Sequence, residues 1–278
     1  MTRVGFVVHE GRDEAVRAAA ELERVLHDEG VASEPVADAK EDAFDLVVSV
    51  GGDGTFLRAA LAAQAAACPV LGVKVGRVGF LTEVEPDEAV ELLRKVLAGG
   101  ATIEERLAVT AEPEAAAGFA VQWGLNEIMV EKHSRNRLVR LAVFVDGAYV
   151  TTFSADGVIV ATPTGSTAYS FSARGPIVTP SVNCLVLTPI AAHMVFDRSF
   201  VLDASQRVTV EVEGDEMGLL SADGRESIEL PVGSRVRIRA ADRPAKLVRR
   251  DAAPGFLSLV REKFGLPGDD GNHVGGAR

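Results

Sequence analysis

Through roughly its first hundred residues the chain alternates short apolar runs with helical periodicity, and from about Ile103 only strand periods remain. "VGFVV" (4–8), "DLVVSV" (45–50) and "PVLGVKV" (69–75) read as buried strands. Between them, "DEAVRAAAELERVLHDEG" (13–30) carries apolar residues at helical spacing and ends on Gly30, and an alanine-rich helix runs from Thr55 to about Ala67. "PDEAVELLRKVLAGG" (86–100) opens on a proline in a first helical turn and stops at Gly99 and Gly100. Such alternation implies a parallel sheet with helices packed on its faces.

The remainder has a different texture. "LVRLAVFVDGAYVTTF" (138–153) holds two strand-like runs around Asp146-Gly147, a hairpin signal. "RVTVEVEGDE" (207–216), "SADGRESIEL" (221–230) and "RVRIRA" (235–240) continue with alternating faces, which suits a sandwich or layered sheets. "PGFLSLVREKF" (254–264) is helical again, and "LPGDDGNHVGGAR" (266–278) reads as a loose tail. The expected fold has two domains: an N-terminal Rossmann-like parallel α/β domain (1–102 plus 250–278) and a C-terminal β-sandwich-like domain (103–249). The C-terminal helix returns to the first domain.

Composition narrows the function classes. With 278 residues, 47% of them hydrophobic, the chain can bury a substantial core. Lys and Arg number 29 against 40 Asp and Glu, a net charge of −11 that argues against nucleic-acid or membrane-surface partners. A local basic cluster can still bind an anionic small molecule. Cys68 and Cys184 lie far apart in apolar contexts with no C-x-x-C pair, so both read as core residues rather than disulfide or zinc ligands. His9, His27, His133 and His273 have no metal-ligand spacing. The N-terminus turns acidic too soon for a signal-peptide core, and no apolar run approaches the ~18 residues of a membrane helix. The expectation is a soluble, cytoplasmic protein.

The stretch "VVSVGGDGTFLRAALAAQAAA" (47–67) puts a glycine-rich bend where a strand becomes a helix. In an open parallel sheet, ligands bind beyond the carboxyl ends of the strands. Gly51, Gly52 and Gly54 let the backbone come close to a ligand, and their amides with the helix start at Thr55 offer donors to a phosphate. Asp53 is the odd member, since a carboxylate repels a phosphate unless it has a task. Two tasks fit: helping to hold a metal ion, or taking a proton from a hydroxyl about to attack phosphorus. The plainer alternative is a tight turn in which Asp53 only caps the helix. Neither G-x-G-x-x-G after a strand nor G-x-x-x-x-G-K-[ST] is present.

A second cluster, "SADGVIVATPTGSTAYSFSARGP" (154–176), follows an apolar strand with a dense run of small hydroxyl residues, glycine and an aromatic. Those groups suit a ribose, adenine or phosphate, although a short Ser/Thr run is more often an ordinary loop. Between the clusters, Asn126 and Glu127 precede an apolar triplet, and Lys132, Arg135, Arg137 and Arg140 form the densest positive run of an acidic chain. Such a run is usually a solvated strand face; here it could also neutralise phosphates. His193 reads as a packed or hydrogen-bonded histidine.

Taken together, these stretches resemble the NAD kinase family: "GGDGT" (51–55), "VGFLTE" (78–83), "LNE" (125–127), "ADGVIVATPTGSTAYSFSA" (155–173), "GPIV" (175–178) and "LTPIAAH" (187–193), in the family's order. The resemblance implies phosphoryl transfer from ATP, or in some members inorganic polyphosphate, to the 2′-hydroxyl of the adenosine ribose of NAD, giving NADP. It implies a general base at Asp53 and a phosphate-donor loop of Gly51, Gly52, Gly54 and Thr55. It further implies an NAD site of Asp53, Gly54, Arg58, Asn126, Glu127, Arg137, Ser154, Asp156, Thr167, Ala168, Tyr169, Ser170, Phe171, Ser172 and Ala191. Family members need a divalent metal, normally Mg2+, and are homodimers or homotetramers. The chain departs from the family at Lys74, where Asn is common, and at Arg174, where Gly is frequent. Ser154 sits where members differ in NAD against NADH preference, and a position near Arg225 often meets the ligand. Two rivals are a lipid or sugar kinase sharing the glycine loop and a non-catalytic nucleotide-binding regulator.

Overall fold

The computed structural model describes residues 2–37, 39–76, 79–82, 84–114, 120–193, 196–251 and 253–267. Val78 and Glu83 of the "VGFLTE" stretch, His273, and the tail from residue 268 lie outside the described residues. The first half runs β1 (Arg3–Val8), α1 (Asp13–Asp28), β2 (Ala32–Pro35), β3 (Leu46–Gly51), α2 (Asp53–Ala66), β4 (Val70–Lys74), α3 (Pro86–Leu97) and β5 (Thr102–Arg106). Next come β6 (Val109–Pro113), β7 (Gln122–Gly124), β8 (Glu127–Lys132), β9 (Val139–Val145), β10 (Ala148–Ala155) and β11 (Gly157–Ala161). A 3-10 turn (Thr164–Thr167) leads to α4 (Tyr169–Ser172), β12 (Cys184–Ile190), β13 (Phe200–Asp203), β14 (Val208–Glu213) and β15 (Gly218–Ala222). The chain closes with β16 (Ile228–Leu230), β17 (Arg235–Ala240), β18 (Ala245–Arg249) and α5 (Phe256–Lys263).

The first sheet has the order β2-β1-β3-β4-β18-β5. Its strands are parallel except β5, which runs antiparallel to β18. This is the parallel sheet that strand–helix alternation predicts, with two additions. β2 is short and largely exposed, so it carries no apolar period to read. β18 has the texture of the β-rich half but inserts beside β4 through Leu247 and Val70. The boundaries drawn at 102/103 and 249/250 therefore fall inside β5 and leave β18 on the wrong side. Sheet membership is a long-range pairing that local alternation does not encode.

The second half forms two six-stranded antiparallel sheets, β10-β9-β14-β17-β6-β7 and β13-β12-β11-β8-β15-β16. Their inner faces share one core, with Leu141, Phe153 and Val210 from one sheet meeting Val130, Val158 and Leu185 from the other. The expected hairpin closes on Asp146 (φ 51°) and Gly147 (φ 82°), both left-handed as a two-residue Asp-Gly turn requires.

Helix α2 joins the halves. Phe56, Ala59, Ala60, Ala62, Ala63 and Ala66 are all buried, so it has no wide polar face. It packs in one core with Ala245 and Leu247 of β18 and with Ala108, Trp123 and Leu125. Helix α5 closes a second contact between the halves. The Phe256 and Phe264 rings lie 6.5 and 5.9 Å from that of Phe80, and Phe264 lies 4.4 Å from Phe171 of α4. Cys68 and Cys184 are buried thiols, and no helix among the described residues is long and apolar enough to cross a membrane.

If β18 is integral to the first sheet, truncating its buried Leu247 should loosen the joint core. Leu247→Ala is expected to cost about 3 kcal/mol in urea denaturation, and a loss below about 1 kcal/mol would place that strand outside the cooperative unit.

Candidate functional site

β3 carries Gly51 to the carboxyl edge of the parallel sheet, Gly52 is the cap of α2, and Asp53 is its first residue. Asp53 therefore stands inside the helix start and not at the cap position. Its carboxylate instead reaches across to the segment after β4, where the Phe80 amide donates to Oδ2 (3.0 Å) and the Leu81 amide to Oδ1 (3.2 Å). The chain comes so close that a Cβ on Gly79 would lie 1.9 Å from Oδ1. The plain capping aspartate is thus set aside: Asp53 is held by backbone amides of a different loop. The glycines before and after it differ in use. A Cβ on Gly51 would press on Thr55 Oγ1 at 2.6 Å, whereas nothing lies within 4 Å of the same position on Gly52 or Gly54. Arg58 stands exposed one turn further along α2, without a partner among the described residues.

The segment that holds Asp53 also meets the second cluster. Phe80, Leu81, Arg106, Thr164, Thr167 and Phe256 line one crevice. Arg106, nearly buried, grips Glu104 through Nε and Nη2 (2.7 and 3.0 Å) and donates from Nη1 to Thr164 Oγ1 (3.2 Å). Sequence reasoning did not single out Arg106, Glu104 or the two amides, because a lone arginine in a strand and an ordinary Phe-Leu pair carry no local signal.

Asn126 and Glu127 lie against this turn and are both buried. Thr162 ties them down: its Oγ1 donates to the Leu125 carbonyl (2.6 Å) and its amide to the Asn126 carbonyl (2.8 Å). Gly165 packs flat on Asn126, where a Cβ would sit 2.0 Å from that carbonyl oxygen. Burial, and then the neighbouring Asp223, push the Glu127 carboxyl up to about 8. Burial raises Asp223 too, against the opposing pull of the Leu125, Glu127 and Asn126 amides and of Arg225.

The remaining expected residues gather at the other end of β11, roughly 16 Å away by strand rise. Tyr169, Ser172 and Ala191 line a cavity of about 380 Å³ with Arg174, Ile190 and Asp197. Asp156 pairs with Lys132 at its edge, and the Ser154 carbonyl accepts from the amide of His193, whose side chain is exposed. Burial, then Glu131 and Asp156, raise the Tyr169 phenol. Between the two ends, Ala168 links the 3-10 turn to α4, Ser170 is buried against Thr188 Oγ1 (3.2 Å), and Phe171 stacks on Phe264. The basic run is largely spent on neighbours: Arg137 faces Asp215 at 3.6 Å and Arg140 faces Glu213 at 3.8 Å. Arg137 is exposed beyond the far end of β8, away from Asp53.

Residues 32–101 match the ATP-NAD kinase N-terminal domain family, and residues 125–250 the ATP-NAD kinase C-terminal domain family. NAD kinase 2 of Streptomyces avermitilis is 38% identical over 285 residues, covering 95% of this chain and 94% of that protein. The NAD kinase of Mycobacterium tuberculosis is 38% identical over 293 residues, covering 94% and 95%. Among solved structures, an NAD kinase from Archaeoglobus fulgidus in complex with ATP superposes with a TM-score of 0.74 at 29% identity, over 95% of this chain and 97% of the other. Yeast NADH kinase complexed with NADH shares the fold, with a TM-score of 0.87 at 23% identity over 96% and 88%.

The buried Glu127 makes stability depend on pH. Its ordinary value is 4.5, and the folded protein holds the proton until about pH 8. Between those limits the folded state binds a proton that the unfolded chain has released, so stability falls as pH rises through that window. Denaturation near pH 6 and near pH 9 should show wild type losing stability at the higher pH by more than Glu127→Gln does. Equal losses in both proteins would mean that Glu127 is ionised in the fold.

Proposed function

This chain belongs to the NAD kinase family, and we propose that Asp53 is the base that accepts the proton of the NAD hydroxyl as it attacks the phosphoryl donor. The chain is an NAD kinase, transferring a phosphoryl group from ATP to NAD to give NADP. The observation that carries the assignment of Asp53 is its carboxylate, aimed by the Phe80 and Leu81 amides rather than capping its own helix, at the carboxyl edge of a parallel sheet.

A ribose hydroxyl is a poor nucleophile near neutral pH, so a fixed carboxylate within reach removes its proton as the new bond forms. Gly52 and Gly54 present bare backbone beside Asp53, which leaves room for donor phosphates against the start of α2. Most of the acceleration then comes from alignment and charge neutralisation. The adenosine ribose sits between Asp53 and the Asn126–Glu127 turn, and the run from Thr167 to Ser172 extends the NAD site towards Tyr169, Asp156 and Ala191.

Among the described residues, no three His, Cys, Asp or Glu side chains converge as a cation cage. A magnesium ion carried chiefly by the substrate phosphates needs no such cage, which leaves Asp53 its role as the base. When bound, the ion supplies positive charge against the phosphates. In this reading the working enzyme is a cytoplasmic homodimer or homotetramer, and inorganic polyphosphate is an alternative donor to be assayed beside ATP.

Asp53→Asn keeps the shape, but its amide nitrogen neither takes the proton nor accepts the second of the two loop hydrogen bonds. It should lower kcat about a thousandfold or more while the Kd for NAD, measured by calorimetry, stays within about threefold. A near-wild-type rate of NADP formation in a coupled assay would remove Asp53 from this role.

A further inference from the structure

The Asn126–Glu127 turn is held from two sides. Its carbonyls are taken by Thr162. Its amides all point at one carboxylate: Leu125 N donates to Asp223 Oδ2 (2.8 Å), and Asn126 N and Glu127 N donate to Oδ1 (2.9 and 3.0 Å). The Asp223 amide donates back to the Glu127 carbonyl at 3.1 Å. Three successive amides converging on one point form the concave nest that elsewhere captures anions, and here the anion is internal. Room for it is cut by Gly124, where a Cβ would lie 3.0 Å from Asp223 Oδ1 and 2.8 Å from the Glu127 carbonyl. Asp223 itself takes a left-handed backbone, φ 50°, in the β15–β16 turn.

What the clamp leaves unmet is as informative. Among the described residues, six buried side-chain polar atoms lack a partner, and three of them belong to the turn or to residues tied to it: Trp123 Nε1, Glu127 Oε2 and Arg225 Nη1. Arg225 also donates from Nη2 to the Trp123 carbonyl. Buried polar groups normally find partners. These three belong to residues in or beside a backbone whose amides and carbonyls are both engaged, so the frame is fixed while these side-chain groups are unpaired among the described residues.

We propose that Asp223 is a positioning residue for the dinucleotide: it fixes the Leu125–Glu127 backbone so that the Asn126 and Glu127 side chains meet NAD, without touching NAD itself. This rests on the reading of Asn126 and Glu127 as NAD contacts. The charged groups at the turn are Asp223 and Arg225, while β11, which pairs with Glu127 through Ala161, brings an apolar residue there. Removing the Asp223 charge takes away one of the two influences that raise the Glu127 carboxyl, leaving burial.

The test is Asp223→Asn in the full-length enzyme, with ATP and NAD varied separately. The KM for NAD should rise about tenfold or more, because a small misplacement of a binding group is costly, while the KM for ATP stays within about twofold. The pH at which the NAD KM inflects should move to lower values, a change that a purely structural role would not produce. Should that variant not fold, Asp223→Glu keeps the charge but moves the oxygens by one methylene; it should raise the NAD KM without the acid shift. Equal changes in both KM values, or an unmoved NAD KM, overturn the assignment. Asn126→Ala separates the two layers. If it raises the NAD KM and the Asp223 variants do not, only the role of Asp223 falls; if it does nothing either, the turn is not part of the dinucleotide site and both fall.

Discussion

The packing of Trp123 and Leu125 against the alanine surface of α2 is the contact on which the site depends. Leu125 is fully buried, in the same core as Phe56, Ala59 and Ala63 of the helix. Asp53 begins that helix, and Asn126 follows Leu125 directly. One apolar seam therefore sets the distance between the glycine bend of the parallel sheet and the Asn126–Glu127 turn of the β-rich half. Alanines make this possible, because small side chains let a helix approach a neighbouring backbone closely while still excluding water.

Within that frame, the same physical device is used twice. A carboxylate accepts consecutive backbone amides: Asp53 from Phe80 and Leu81, Asp223 from Leu125, Asn126 and Glu127. Charge-assisted hydrogen bonds of this kind are stronger and more directional than neutral ones, so each fixes a loop that has no regular ladder of its own. The consequences differ with surroundings. Asp53 is half-buried and held by a loop of the parallel-sheet half. Asp223 is half-buried too, and its charge acts on the buried Glu127.

The β-rich half places its polar residues at both ends of one strand. β11 is fully buried and separates the turn at Thr162–Thr167 from the cavity beside Tyr169 and Ala191. The link is α4, laid across the strand, whose Phe171 is covered by Phe264 from the returning C-terminal helix.

Much of this was legible in the chain. Strand–helix alternation specified a parallel sheet, because parallel strands need crossovers. Asp146-Gly147 specified a hairpin, because two left-handed residues are needed there. The glycine bend with Asp53, the Asn126–Glu127 pair and the Thr162–Ser172 run stood out because their composition is wasteful for a mere loop. Other features had no local signature. β18 joins the first sheet from far along the chain, Asp223 passed without notice within "SADGRESIEL", and the basic run at Lys132–Arg140 proved mostly paired with acids brought in by folding. Periodicity and turn chemistry are properties of neighbours in sequence, so the sequence alone determined them. Which carboxylate meets which amides, and which charges cancel, depends on groups far apart along the chain that only packing brings within hydrogen-bonding range.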